Sequence, residues 1–226
     1  LETPKLPVPF RLAVLLFFGS LFLGSIGAWL GMSHGEPDTV EQLAWISSGA
    51  VLAQLPIIVV YALYAGTPNP KQTLRVIVFT FVLFTPLALA TSGIAHTIFS
   101  YVGWEAPELL GHETLEQLKT SEFSTSMLIV ILAATIGAGL IEEVVFRGLL
   151  QPSISLFLRG ISVWGAIFST SVIFSAMHLG AVPMSSLLGL FVLSIGLCLA
   201  RVKTGGVFAP IIIHILFNAF NIAFVL

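Results

Sequence analysis

The stretch Gly139-Leu140-Ile141-Glu142-Glu143-Val144-Val145-Phe146-Arg147-Gly148 sets two adjacent carboxylates and a guanidinium between two apolar runs, Phe123 to Ile141 and Gly148 to Leu158. A charged side chain at bilayer depth costs about 2.5–3.5 kcal/mol on insertion scales. Three together are sustained only if they neutralise one another or line a polar cavity. On a helix, Glu143 and Arg147 are i and i+4, so they share a face and can pair. Glu142 is turned about 100° away and looks toward a different neighbour. One glutamate is thus paired, and one is free for chemistry.

Few other polar side chains lie within apolar segments. His178 closes Phe174-Ser175-Ala176-Met177-His178, and His214-Ile215-Leu216-Phe217-Asn218 places an imidazole and a carboxamide on one helix face. Taken singly, such groups can serve as interhelical hydrogen-bonding glue. Together with an unpaired glutamate they form a candidate site. A carboxylate in a partly apolar setting can take a proton from water, and a histidine beside it can hold that water or hand the proton to a leaving amine. A second histidine and an asparagine can point N–H donors at a developing oxyanion. That set suffices to hydrolyse an amide without a covalent intermediate. Glu142, His178 and His214 also resemble a zinc site with an open fourth position. Other designs fail by absence: Asp38 is the only aspartate, no HExxH occurs, and no Gly-x-Ser-Gly accompanies Ser175.

Three motifs, Glu142-Glu143-x-x-x-Arg147, Phe174-x-x-x-His178 and His214-x-x-x-Asn218, resemble in type and order those of the CPBP family. That family comprises CAAX proteases and bacteriocin-processing enzymes, including the type II CAAX prenyl endopeptidases. The resemblance covers about Gly139 to Asn218. It implies a membrane endopeptidase with a water-accessible cavity, in which Glu142 and His178 activate water and His214 and Asn218 stabilise the oxyanion. Glu143 and Arg147 would support the site. The substrate would be a peptide or protein, lipidated or not, met among membrane lipids. The expected mechanism is metal-free, because Asn218 is a poor zinc ligand but a good oxyanion donor; zinc is the alternative cofactor. Two other readings compete. A transporter or proton relay would also use an intramembrane Glu/His/Arg cluster, but no internal repeat is detectable. A non-catalytic peptide-immunity scaffold would show no cleavage.

The elements that must position these residues are membrane helices. The chain of 226 residues is 57% hydrophobic and 9% charged, with a mean hydropathy of +1.03; soluble domains carry about 25% charged residues. No basic patch offers a nucleic-acid surface, and the lone Cys198 cannot form an intrachain disulfide. The first residue is Leu rather than Met, so the natural start is expected to be trimmed or replaced. Charge-free runs predict an all-α bundle of about seven transmembrane helices, one domain over 1–226 with its motif-bearing half at about 123–226. The runs are Leu12–Ser33, Leu43–Gly66, Val76–Trp104, Phe123 to about Leu150, two spans within Gly160–Ala200, and Thr204–Leu226. Gly180-Ala181-Val182-Pro183 is the expected break between the fifth and sixth. The acidic loop Glu105–Glu122 has leucines spaced for a short amphipathic helix, and a plain solvated connector is the equal alternative.

Eight of nine basic residues, counting Arg147 and Arg201, fall on one side of this diagram, while the opposite loops are acidic. The positive-inside rule puts the N-terminus in the cytoplasm and the C-terminus across the membrane. His34 and His112 are expected in solvated loops, and His96 in the third helix as a structural histidine without a polar partner at helical spacing. One conflict stands in the diagram. Glu142 lies about 7.5 Å from an Arg147 assigned to the cytoplasmic edge, and His178 about 21 Å from Trp164, so the fifth helix is expected to tilt, start deeper or bend.

Overall fold

A computed structural model of the chain describes residues 5–66, 70–104, 122–158 and 162–225. Among these residues there are seven helices and no strand. They are α1 Phe10–Gly31, α2 Val40–Tyr64, α3 Pro70–Tyr101, α4 Thr125–Phe157, α5 Val163–Ala176, α6 Met184–Thr204 and α7 Phe208–Val225. Five helices are long and apolar enough to cross a membrane, and α5 and α7 are shorter apolar helices. The chain is an integral membrane protein built as an all-α polytopic bundle.

The helix starts follow from local chemistry. Thr39, Ser124 and Ser162 each accept a hydrogen bond from the backbone N–H three residues on, satisfying donors that a helix N-terminus leaves unpaired. α6 ends at Gly205, whose φ of 71° is the left-handed conformation that favours glycine.

Packing in hydrocarbon rewards close backbone approach. Gly27 of α1 and Gly49 of α2 touch through their backbones, and a Cβ on either would collide with the other's carbonyl. Beside them Ser20 donates to Gln54 at 2.5 Å. On the other flank α3, α6 and α7 enclose Leu193, Leu197, Ala200, Ile213 and Phe217. Between the flanks runs α4, with Val144 and Leu149 packed on Ile57 and Tyr61, and Phe146 on Phe174.

Several expectations change at α4 and α6. α4 does not stop near Leu150 but continues to Phe157, so Arg147 is no edge residue; it is fully buried. Arg201 likewise lies within the last turn of α6, buried rather than in a loop. A charge count treats both as boundary markers, whereas pairing and carbonyl contacts have made them interior residues. The extension also removes the conflict in the diagram. Glu142 is about 22 Å from the Phe157 end of α4, and His178 about 22 Å from the Val163 start of α5. Helix α5 needs no unusual bend: it ends at Ala176, and the chain turns through Gly180 (φ 86°) before α6. His96 does have a partner at helical spacing, since its Nε2 lies 3.4 Å from the Ser100 hydroxyl. His34 is exposed, with its ring against Trp45. His112 and the acidic loop before Glu122, read as an amphipathic helix or a solvated connector, fall on 105–121, outside the described residues.

Candidate active site

The central helix is irregular where the carboxylates sit. A short α-helical piece, Ala138–Glu143, is flanked by two π-helical segments, Ala133–Gly137 and Val144–Leu150. The second runs into Pro152, which lacks an N–H and whose ring would clash with a regular preceding turn. Widening the turn by one residue relieves that clash, and π segments of this kind recur at functional sites. Gly139 has a second use. A Cβ there would fall 2.8 Å from Ile215 Cγ1, so the missing side chain lets α7 press onto α4 and bring His214 to the carboxylates.

Glu143 is fully buried and holds two cationic or potentially cationic partners on one oxygen. Arg147 Nη1 donates to Glu143 Oε1 at 2.7 Å, and His214 Nδ1 approaches the same oxygen at 2.7 Å. The predicted pair exists, and His214 is an addition that the sequence did not show. Arg147 also donates from Nη2 to Ser194 of α6 at 2.7 Å, and its guanidinium lies 4.3 Å from the centre of the Phe174 ring. The two kinds of contact serve different parts of this buried cation: hydrogen bonds for its N–H groups and an aromatic face for its plane.

Glu142 differs in every respect. Its side chain is 27% exposed, and its buried Oε2 has no hydrogen-bond partner. That oxygen faces His178 Nε2 at 3.9 Å and His214 Nε2 at 4.0 Å. These gaps are too long for direct hydrogen bonds and suit a bridging water.

The tautomers follow from the other ring nitrogens. His178 Nδ1 lies 2.8 Å from the Phe174 carbonyl, which can only accept, so Nδ1 carries the proton. This bond explains the Phe174-x-x-x-His178 spacing, because the carbonyl one turn back orients the ring. Phe174 is also fully buried, with its ring 4.9 Å from His178 and 6.0 Å from His214. His214 gives its Nδ1–H to the Glu143 carboxylate by the same logic. In the neutral forms, both Nε2 atoms then present lone pairs toward Glu142. Glu142 Oε2 and the two Nε2 atoms then form a set of three acceptors, to which a proton donor such as water is suited.

Five of the six singled-out residues, Glu142, Glu143, Arg147, His178 and His214, thus meet at one place. Asn218 lies one turn along α7 from His214. Its amide donates to the Ala134 carbonyl at 2.8 Å, inside the first π segment. One amide N–H is used there, and a second remains for another acceptor. Phe174 and Ser194 complete the surroundings; Phe174 stood in a motif without a role, and Ser194 was overlooked in the apolar run of α6. Among the described residues, no group of three His, Cys, Asp or Glu side chains is drawn together in a form that could hold a metal ion.

The site is thus a part-exposed carboxylate facing two oriented imidazoles inside a helical membrane protein. Residues 124–220 match the family model described as Type II CAAX prenyl endopeptidase Rce1-like. The match lies over α4 to α7 and agrees with the resemblance drawn from the three motifs. Comparison with curated proteins and with solved structures gave no match.

Proposed function

We propose that the chain is an intramembrane endopeptidase that hydrolyses a peptide bond with water activated by Glu142 and His178. The observation that carries this reading is the orphaned Glu142 Oε2 facing two imidazole Nε2 atoms at 3.9 and 4.0 Å, in a site that remains partly exposed. Glu142 takes a proton from a water that His178 Nε2 helps to hold. The resulting hydroxide attacks the carbonyl carbon, and the carbonyl oxygen becomes an oxyanion. For His214 to donate to that oxyanion, its Nε2 must carry a proton and the ring must be an imidazolium. Glu143, bonded at Nδ1 and itself fixed by Arg147, is the counter-ion that holds this charge. Asn218 supplies its second N–H. The C–N bond breaks as the leaving amine takes up the proton that Glu142 had accepted, relayed through His178.

The proposed mechanism uses no metal. Zinc held by His178, His214 and Glu142 is the alternative, with Glu143 then orienting a liganded His214. The substrate in this reading is a peptide or protein within or at the membrane, of the CAAX-type prenylated class or another membrane-associated class. The proposed topology has a cytoplasmic N-terminus. It rests on Lys5, Arg11, Lys71, Arg75, Arg159 and Lys203, with Arg147 and Arg201 withdrawn from the count because both are buried. The test is an unbiased search for cleaved peptides with purified protein beside its Glu142→Ala variant. Products formed by the first and not by the second support the reading, and identical peptide profiles refute it.

A further inference from the structure

Arg201 is a buried guanidinium in the last turn of α6, 2% exposed, that touches the site helix without touching the site. Its Nε donates to the carbonyl of Arg147 at 3.1 Å, and its Nη2 donates to the carbonyl of Lys5 at 3.2 Å. The carbonyl of Arg147 is available for a definite reason. In the π register the N–H of Gln151 bonds Phe146. The donor that would next serve Arg147 belongs to residue 152, which is proline and has none. One buried backbone acceptor is thereby left open at the turn that carries Arg147. Buried carbonyls are almost always satisfied, and here a side chain from another helix supplies the bond.

Resting on the proposed hydrolase reading, we propose that Arg201 is a positioning residue that fixes the π register of α4 and hence the reach of Arg147 to Glu143 and of Glu143 to His214. It also ties that register to the segment before α1, where Val8 is buried beside Val144 and Leu149. The guanidinium fits the task by shape. Nε and Nη2 point in different directions and can serve two carbonyls, whereas an ammonium offers its donors from one point. When the bond is lost, the buried Arg147 carbonyl has no donor, so the turn shifts to reach another, and the Glu143 oxygen shared by Arg147 and His214 moves with it.

The test is a second-site rescue. Arg201→Met removes the donor; Pro152→Ala restores a backbone N–H at the position from which Arg147 lacks one. Each variant and the double variant are purified in detergent and assayed for kcat and KM. The same proteins, labelled at histidine with nitrogen-15, report the Nδ1 proton of His214 by NMR. Arg201→Met is expected to lower kcat about a hundred-fold, the scale of a 1 Å misplacement, with KM close to wild type and the His214 Nδ1 proton signal shifted or lost. Pro152→Ala stays close to wild type, and the double variant regains both kcat and signal. Arg201→Lys does not. Wild-type kcat and signal in folded Arg201→Met, or a double variant no better than Arg201→Met, would overturn the assignment. If Arg201→Met fails to fold, folding of the double variant is the rescue, and its failure overturns the proposal equally. If the wild type cleaves no peptide, the hydrolase reading falls, and the NMR comparison still decides whether Arg201 sets the register.

Discussion

Glu142 and Glu143 are neighbours in sequence, yet they should respond oppositely to the same substitution. Glu143→Gln removes the carboxylate charge that faces Arg147 and His214, both at 2.7 Å, in a fully buried setting. Stranding one member of a buried ion pair costs roughly 3–5 kcal/mol. The glutamine keeps one acceptor oxygen, so the low end applies. With an unfolding entropy of about 2.1 cal/mol/K per residue, a chain of 226 residues loses about 6 °C in Tm for each 3 kcal/mol. Glu142→Gln strands no bonded partner, because Oε2 has none and the side chain is 27% exposed. Its Tm should stay near wild type while turnover falls by about 10²–10⁴, the usual contribution of a general base. Glu143→Gln should lose about 10²-fold in kcat as well, since it frees His214 to rotate. The measurements are thermal unfolding by tryptophan fluorescence in detergent and peptide hydrolysis on the same preparations. A Glu142→Gln protein that melts as low as Glu143→Gln, or that retains near-normal turnover, would refute the division of labour.

Four further outcomes follow from the same contacts. Arg147→Ala should lower both Tm and activity, and Glu143→Gln combined with Arg147→Met should melt higher than Arg147→Ala, because no buried charge is then left alone; an unchanged Tm in Arg147→Ala would argue against the buried pair. Asn218→Ala should reduce kcat about 10²–10³-fold, the scale of one lost oxyanion donor, more than it changes KM; equal loss in both would assign Asn218 to binding. Exhaustive chelation of active protein should leave hydrolysis intact, and loss of activity restored by added zinc would replace the metal-free reading with a zinc site. Gly27→Leu should prevent α1 from packing on α2, because a Cβ there meets the Gly49 carbonyl; it is read as loss of folded, monodisperse protein in detergent.

What was legible in the sequence was what helical spacing encodes. Glu143 with Arg147, Phe174 with His178 and His214 with Asn218 are all i,i+4 relations; the first and last are set by helical geometry, and His178, two residues past the end of α5, still reaches back to the Phe174 carbonyl. The break at Gly180–Pro183 was legible because glycine and proline act locally. Relations between helices were not. Nothing in the residues around Glu143 announces that His214, 71 positions away, shares its oxygen, or that Ser194 waits for Arg147. The π segments were hidden although Pro152 stood in plain view, since proline shows that a helix must yield and not how. Arg147 and Arg201 misled for a single reason. A cation near the end of an apolar run is ordinarily an interfacial anchor, and only the tertiary structure supplies the partners that let one be buried. The partner of His96 was legible too, as Ser100 lies at i+4.

Helix α5 spans about 21 Å, whereas the hydrocarbon layer it adjoins is about 30 Å thick. Trp164, exposed in its first turn, is the kind of residue that settles among lipid headgroups. With that end held there, the other falls about 9 Å short. What continues from it is a non-helical turn with Met177, Leu179, Gly180 and Ala181 exposed, and the carbonyls that a helix end leaves without an intrahelical partner favour water over acyl chains. A bilayer thinned beside α5 would bring headgroups and water to the turn. Next to His178 such thinning would shorten the path of water to the site, and in the proposed hydrolase reading it would bring a peptide at the membrane surface closer to Glu142.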